Sequence, residues 1–107
     1  MIIQSLQKLG LTKKEAVVYL MLLRMGPLPV STLAIRANVK RVTAYSVLEA
    51  LIDRGLVSYE KRKMCRYYSP HDPECLMYLL EQKSAEIKFQ MDLARDCISK
   101  LSRFTFS

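Results

Sequence analysis

The chain has 107 residues, with 17 Lys and Arg against 10 Asp and Glu and a formal net charge of +7. Half of it is apolar and a quarter charged, which excludes a disordered chain, and no apolar run approaches the ~18–20 residues of a membrane span. One domain with one appended element fits this length, and the excess charge points to a polyanionic partner.

Ile2, Leu6 and Leu9 share one face and predict a short first helix. Thr12-Lys13-Lys14-Glu15 has the form of a capping box, in which a threonine and a glutamate three residues on satisfy each other's backbone donors. Behind it Ala16, Val17, Leu20 and Leu23 recur at helical spacing, with Tyr19 beside them, until Gly26-Pro27 ends the helix. Pro29-Val30-Ser31 opens a second helix, with Ser31 expected as its N-cap and Leu33, Ala34 and Ala37 facing inward. Asn38 tolerates the left-handed backbone of a tight turn. A third helix runs from about Arg41 to Arg54 and is closed by Gly55. Its stripe is Ala44, Val47, Leu48, Leu51 and Ile52, opposite a face of Lys40, Arg41, Thr43, Ser46 and Ala50 with Tyr45 at its edge.

After Gly55 the period changes. Leu56–Glu60 and Met64–Ser69 read as two strands of a hairpin, a wing over about 56–69. Its tip is expected to hold the three adjacent cations Lys61, Arg62 and Lys63. With no Gly or Asn there, the turn is expected to be looser than two residues. Asp72 is the expected cap of a last helix from about Pro73. From Met77, steps of three and four alternate through Leu80, Ser84, Ile87, Met91, Ala94, Ile98 and Leu101, and only Ser84 is not apolar. A helix of roughly 30 residues is ~45 Å long, more than so small a body can cover. The seam is therefore expected to pair with a second copy, parallel or antiparallel, as a coiled coil.

The charge is unevenly placed. Residues 36–71 carry eight cations against three anions, whereas residues 72–107 carry five against six. A basic body followed by a neutral seam divides the chain at 1–71 and 72–107. Three helices with a tight turn between the second and third, then a hairpin, make a mainly α winged helix-turn-helix followed by a long dimerisation helix. In such a fold the third helix enters the major groove of double-stranded DNA and the wing reaches phosphates or the minor groove. Lys40, Arg41, Thr43, Tyr45 and Ser46 are the expected contacts from that helix, and Lys61, Arg62, Lys63 and Arg66 those from the wing.

Other chemistry is poorly represented. Cys65, Cys75 and Cys97 lack metal-ligand or disulfide spacing, although Cys65, between Lys63 and Arg66, is a candidate redox-sensing thiol. His71 is the one histidine, beside Asp72 at a helix start, and reads as loop and cap chemistry. There is no phosphate loop and no carboxylate pair. No catalytic residue, metal, cofactor, membrane partner or small-molecule ligand is expected. The start, Met1-Ile2-Ile3-Gln4-Ser5, has no signal-peptide character, so a cytoplasmic location is expected.

The run Leu9-Gly10-Leu11-Thr12-Lys13-Lys14-Glu15-Ala16, continuing to Tyr19-Leu20, resembles the opening of TrmB-type, MarR-like transcriptional regulators, which are found chiefly in archaea. So does Ala37 to Val57, with an arginine at the helix start, a tyrosine four residues on, a Leu-Glu-x-Leu core and a Gly-Leu-Val exit; Arg66-Tyr67-Tyr68 before Pro70 resembles the returning wing strand. The resemblance implies DNA binding as a dimer, with Arg41, Thr43, Tyr45 and Ser46 at recognition positions. Lys40 stands where the family often has proline, which leaves its side chain free to contact DNA. Larger members add a C-terminal sugar-binding domain, and with only one helix after the wing a short form is expected, without sugar sensing. The expected function is thus a homodimeric, sequence-specific regulator. The alternatives are a winged-helix protein-interaction adaptor or a non-specific architectural DNA-binding protein.

Overall fold

Thr12 and Glu15 close on each other as their spacing predicts. The Glu15 amide donates to the Thr12 hydroxyl (3.1 Å) and the Thr12 amide donates to Glu15 Oε1 (2.7 Å). Two otherwise orphaned donors at the start of α2 (Lys13–Met25) are thereby satisfied. The same carboxylate, 4% exposed, accepts from Arg54 Nε at 3.3 Å through its second oxygen. Arg54 is the C-cap of α4 (Arg41–Asp53), so one side chain ties the start of α2 to the end of α4.

The structure is a computed structural model that describes residues 1–104. The chain divides into two compact units, the first Met1–Leu76 and the second from Met77 onward. In the first unit, α1 (Ile2–Lys8) buries Leu6 while Ile2 stays exposed. The stripe of α2 is rotated from the expected one. Ala16, Val18, Tyr19 and Leu22 are buried, Val17 and Leu20 half-buried, and Leu23 exposed. The reason is that α2 packs against α1, α4 and the sheet together, so a band wider than one 3-4 row is covered. In α4 the predicted row Ala44, Val47, Leu48 and Leu51 is buried and Ile52 half-buried.

Two entries into elements differ from expectation. α3 (Val30–Ala37) starts directly after Pro29, which is its N-cap; Ser31 lies inside the helix, exposed, and no side chain caps the start. Leu28–Pro29 forms a short strand, β1, that pairs with Tyr68 and Tyr67, and this pairing fixes where the helix begins. The wing strands are β2 (Val57–Arg62) and β3 (Cys65–Pro70), in the antiparallel order β1-β3-β2. Arg62 pairs with Cys65, which leaves a tight two-residue turn of Lys63 and Met64, with Lys63 at φ +46°. Contrary to the reading from composition, only Lys63 of the three cations sits at the tip, and Lys61 and Arg62 belong to β2.

The segment leaving the wing is anchored. The His71 amide donates to the Leu56 carbonyl (2.8 Å), and His71 Nδ1 donates to the Gly55 carbonyl (2.7 Å). Tyr19, 1% exposed, donates its hydroxyl to the His71 carbonyl at 3.1 Å. The Asp72 carboxylate accepts the Glu74 amide (2.9 Å), and α5 (Cys75–Leu101) begins two residues later than Pro73. From Met77 onward the second unit consists of α5 and a closing 3-10 turn, Ser102–Phe104. Leu79 is its one buried residue among those described, and Met77, Leu80, Ile87, Met91, Ile98 and Leu101 are exposed. Asp92–Arg95 (3.0 Å) and Asp96–Lys100 (3.1 Å) pair along its surface.

Glu15→Ala removes a reciprocal cap and the partner of Arg54, so the unfolding free energy in urea should fall by ~1–3 kcal/mol. Arg54→Ala, with its side chain 28% exposed, should cost less. Burial first, and then the Cys75 thiol and Asp72, push the Tyr19 phenol above its usual value of 10.0. Burial also raises Tyr68, against the opposing Arg66 guanidinium. The folded state thus holds these protons more tightly than the unfolded chain. Stability is full below about pH 10 and falls as pH rises above it. Urea titrations between about pH 9 and 12 should show that decline, and Tyr19→Phe should flatten it.

Candidate nucleic-acid interface

The turn between α3 and α4 is closed by backbone geometry. Asn38 takes φ 56°, ψ 49°, its amide donating to Ile35 and the Val39 amide to Ala34 (3.0 Å), which satisfies the last carbonyls of α3. Lys40 is extended and is the N-cap of α4, with no side-chain cap on the helix. The first amides of α4, like those of α3, are therefore uncapped and carry the positive end of a helix dipole. The capped α2 start differs from both. Lys40 and Arg41 add side-chain charge at this uncapped end, and both are exposed.

Four buried positions on α4 dictate what its outer surface presents. Arg41, Val42, Tyr45, Ser46 and Glu49 are exposed, while Thr43 is half-buried at the margin. The Arg41 guanidinium lies 5.9 Å from the Tyr45 ring centroid, a cation–π distance that holds the arginine over the helix surface. Charge and hydroxyl content single out Arg41, Tyr45 and Ser46 in the sequence but pass over Val42 and Glu49. The signal that finds them is the complement of the buried stripe: residues 42, 45, 46 and 49 form one row at helical spacing.

The wing divides its cations by strand alternation. Paired residues Val57–Pro70, Tyr59–Tyr68 and Lys61–Arg66 share one face, and Ser58–Ser69, Glu60–Tyr67 and Arg62–Cys65 the other. The first face is the one that buries Val57 and Tyr68. Lys61 and Arg66 extend it outward, and Arg66 is seated 4.2 Å over the ring of Tyr59. On the opposite face Arg62 is engaged by Glu60 (3.3 Å) and by the ring of Tyr67 (4.7 Å). Tyr68 is fully buried and so is a packing residue, while Tyr59 is 45% exposed and serves as the platform.

Between the wing and the two uncapped helix starts lies a cleft of about 430 Å³. Its lining includes Val30 and Ser31 of α3, Arg41 and Tyr45 of α4, and Lys61 and Arg66 of the wing. Four of the residues expected to contact DNA, Arg41, Tyr45, Lys61 and Arg66, thus line one basic concavity, while Lys40 and Ser46 lie exposed on or beside α4 outside its lining. Lys63 stands at the wing turn, and Arg62 faces away. Cys65 is exposed at the end of β3 that meets the turn and lines the same cleft. The Tyr68 hydroxyl at its base has no hydrogen-bond partner of good geometry. Among the described residues no helix is long and apolar enough to cross a membrane, and no group of three or more His, Cys, Asp or Glu is placed to hold a metal ion.

The chain matches the family model described as the sugar-specific transcriptional regulator TrmB over residues 6–74. It is 36% identical over 76 residues to the HTH-type sugar sensing transcriptional regulator TrmBL1 of Pyrococcus furiosus, covering 71% of this chain and 22% of that protein. Its fold is similar to that of TrmBL2, described as an archaeal chromatin protein with a novel mode of DNA binding. There the TM-score is 0.82 at 23% identity, over 96% of this chain and 40% of that one. The multiple antibiotic-resistance repressor MarR of Listeria monocytogenes is similar at TM-score 0.60 and 20% identity, over 94% of this chain and 74% of that one. This chain spans about a fifth of TrmBL1 and two fifths of TrmBL2. The fold is a winged helix-turn-helix, and the chain belongs to the TrmB family of DNA-binding transcriptional regulators.

Proposed function

We propose that the chain binds double-stranded DNA sequence-specifically as a homodimer, with α4 in the major groove and the wing on the backbone or minor groove. The observation that carries this reading is the cleft itself. Three cations from three elements, Arg41 of α4, Lys61 of β2 and Arg66 of β3, meet beside two uncapped helix starts. Backbone amides and guanidinium groups in one concavity match the geometry of phosphate oxygens. Arg41, Tyr45 and Ser46 present polar groups to base edges, with Thr43 at the edge of the row. Lys40, Lys61, Lys63 and Arg66 supply sequence-independent attraction, and Arg62, held by Glu60, supplies less.

Met77, Leu80, Ser84, Ile87, Met91, Ala94, Ile98 and Leu101 form the pairing surface between two copies of α5. A helix of 27 residues with one buried side chain is not sustained by its own unit. Exposed Ile87 and Met91, at 55% and 51%, lie at its middle. A symmetric dimer presents two recognition helices, so the operator is a palindrome with half-sites one helical turn, or a multiple of it, apart.

Selection from random DNA tests the whole reading: a shared palindrome supports it, whereas equal recovery of all sequences favours a non-specific architectural role. Arg41→Ala should weaken operator binding by ~1–3 kcal/mol and random DNA by less. Lys61→Ala, Lys63→Ala and Arg66→Ala should weaken both alike and each lower the salt slope by about one, with Arg62→Ala the mildest of the four. Equal losses on operator and random DNA for Arg41→Ala would remove its base-reading role. Ile87→Glu should yield monomers in analytical ultracentrifugation and, with one half-site left per protein, a large loss of operator affinity. A dimer undisturbed by that change overturns the α5 interface.

A further inference from the structure

Val42 is 80% exposed, the second residue of α4, on the row that continues through Tyr45, Ser46 and Glu49. A β-branched residue gains nothing there from burial and is a poorer helix former than alanine. Its neighbours on the row carry hydroxyls or a carboxylate, so it interrupts an otherwise polar surface with two methyl groups. A comparably exposed aliphatic chain, Ile35 at 80%, lies on α3. In this fold that helix crosses the backbone, and the N-terminal residues of the next one approach the base edges. Val42 therefore stands where bases are read, and Ile35 does not. The major groove offers one apolar feature, the C5-methyl of thymine.

We infer that Val42 is a specificity-determining residue that reads a thymine methyl in each half-site, beside the base or phosphate contact of Arg41. The inference rests on the DNA-binding reading above and adds a base identity to it. Valine has no donor or acceptor, so it selects by contact: a methyl against its two methyls is favourable. Cytosine has only a hydrogen at C5, so this contact is lost there, and its neighbouring amino group finds no acceptor on valine.

The experiment begins with operator fragments selected from random DNA by the full chain. Each half-site thymine is then replaced singly by deoxyuridine, which deletes the methyl and leaves every hydrogen-bonding group in place. Affinities are measured for the native chain and for Val42→Ala, a change that an exposed helical site tolerates. At one thymine the native chain should lose about fourfold in affinity, the effect of one buried methyl. Val42→Ala should bind the two forms equally there. The inference is overturned if Val42→Ala still discriminates thymine from deoxyuridine as the native chain does, or if no half-site thymine is sensitive to its methyl. Recovery of no shared sequence overturns both this inference and sequence-specific binding. An enriched operator indifferent to the methyl overturns this inference alone.

Discussion

The buried carboxylate of Glu15 is the constraint on which the geometry of the body depends. One oxygen receives the Thr12 amide and the other the Arg54 guanidinium. A charge held at 4% exposure is costly unless each oxygen is matched, and here both are. The match is possible only when the start of α2 and the end of α4 stand at one separation. A capping motif, local by nature, becomes a long-range tether that ties the start of α2 to the end of α4. Tyr19, one turn further along α2, makes the second tether, through the His71 carbonyl to the segment leaving the wing. The segment leaving the wing and the end of α4 are thus both held to α2 by two part-buried polar contacts.

Against that fixed frame the chain treats its helix starts unequally. α2 is closed by its own side chains, whereas α3 and α4 begin with no side-chain cap. Leaving amides open at a solvent-facing start carries little penalty, because water serves them, and it keeps the positive dipole end available for an anion. The two open starts border the cleft that also holds Lys61 and Arg66. Helix dipoles and side-chain charges therefore sum in one place, which a count of charges along the chain does not reveal.

What could be read without coordinates was whatever depends on neighbours in sequence. Thr12 and Glu15 announce the cap by spacing alone, Asn38 the left-handed turn, and Ala44, Val47, Leu48 and Leu51 the buried row of α4. The misreadings share one cause, contacts made beyond the neighbouring residues in sequence. Ser31 is a good capping residue by type. The start of α3 is instead decided by Leu28 and Pro29 pairing with Tyr68 and Tyr67, about 40 residues away. Lys63 has no preference for a positive φ, yet it adopts +46° because the Tyr59–Tyr68 and Lys61–Arg66 register leaves two residues for the turn. Burial on α2 broadened beyond its apolar row for the same reason, since sheet, α1 and α4 all meet it.

Strand alternation draws the sharpest line through the candidate site. Lys61, Arg62 and Lys63 are adjacent in sequence and look equivalent, but a period of two sends the first toward the cleft and the second away, with the third at the turn. Arg62 is then neutralised by Glu60, whereas Arg66, paired across from Lys61, is supported on Tyr59. The basic excess of residues 36–71 is accordingly not one surface. Part of it is spent on Glu15 through Arg54, and part on Glu60 through Arg62. What faces the cleft is Arg41, Lys61 and Arg66, placed beside a helix row whose remaining members, Val42, Tyr45, Ser46 and Glu49, differ from one another in chemistry. A uniformly basic face attracts any phosphate backbone equally. On the proposed reading, a small set of cations next to a row of unlike side chains holds a backbone in register while the row discriminates between bases.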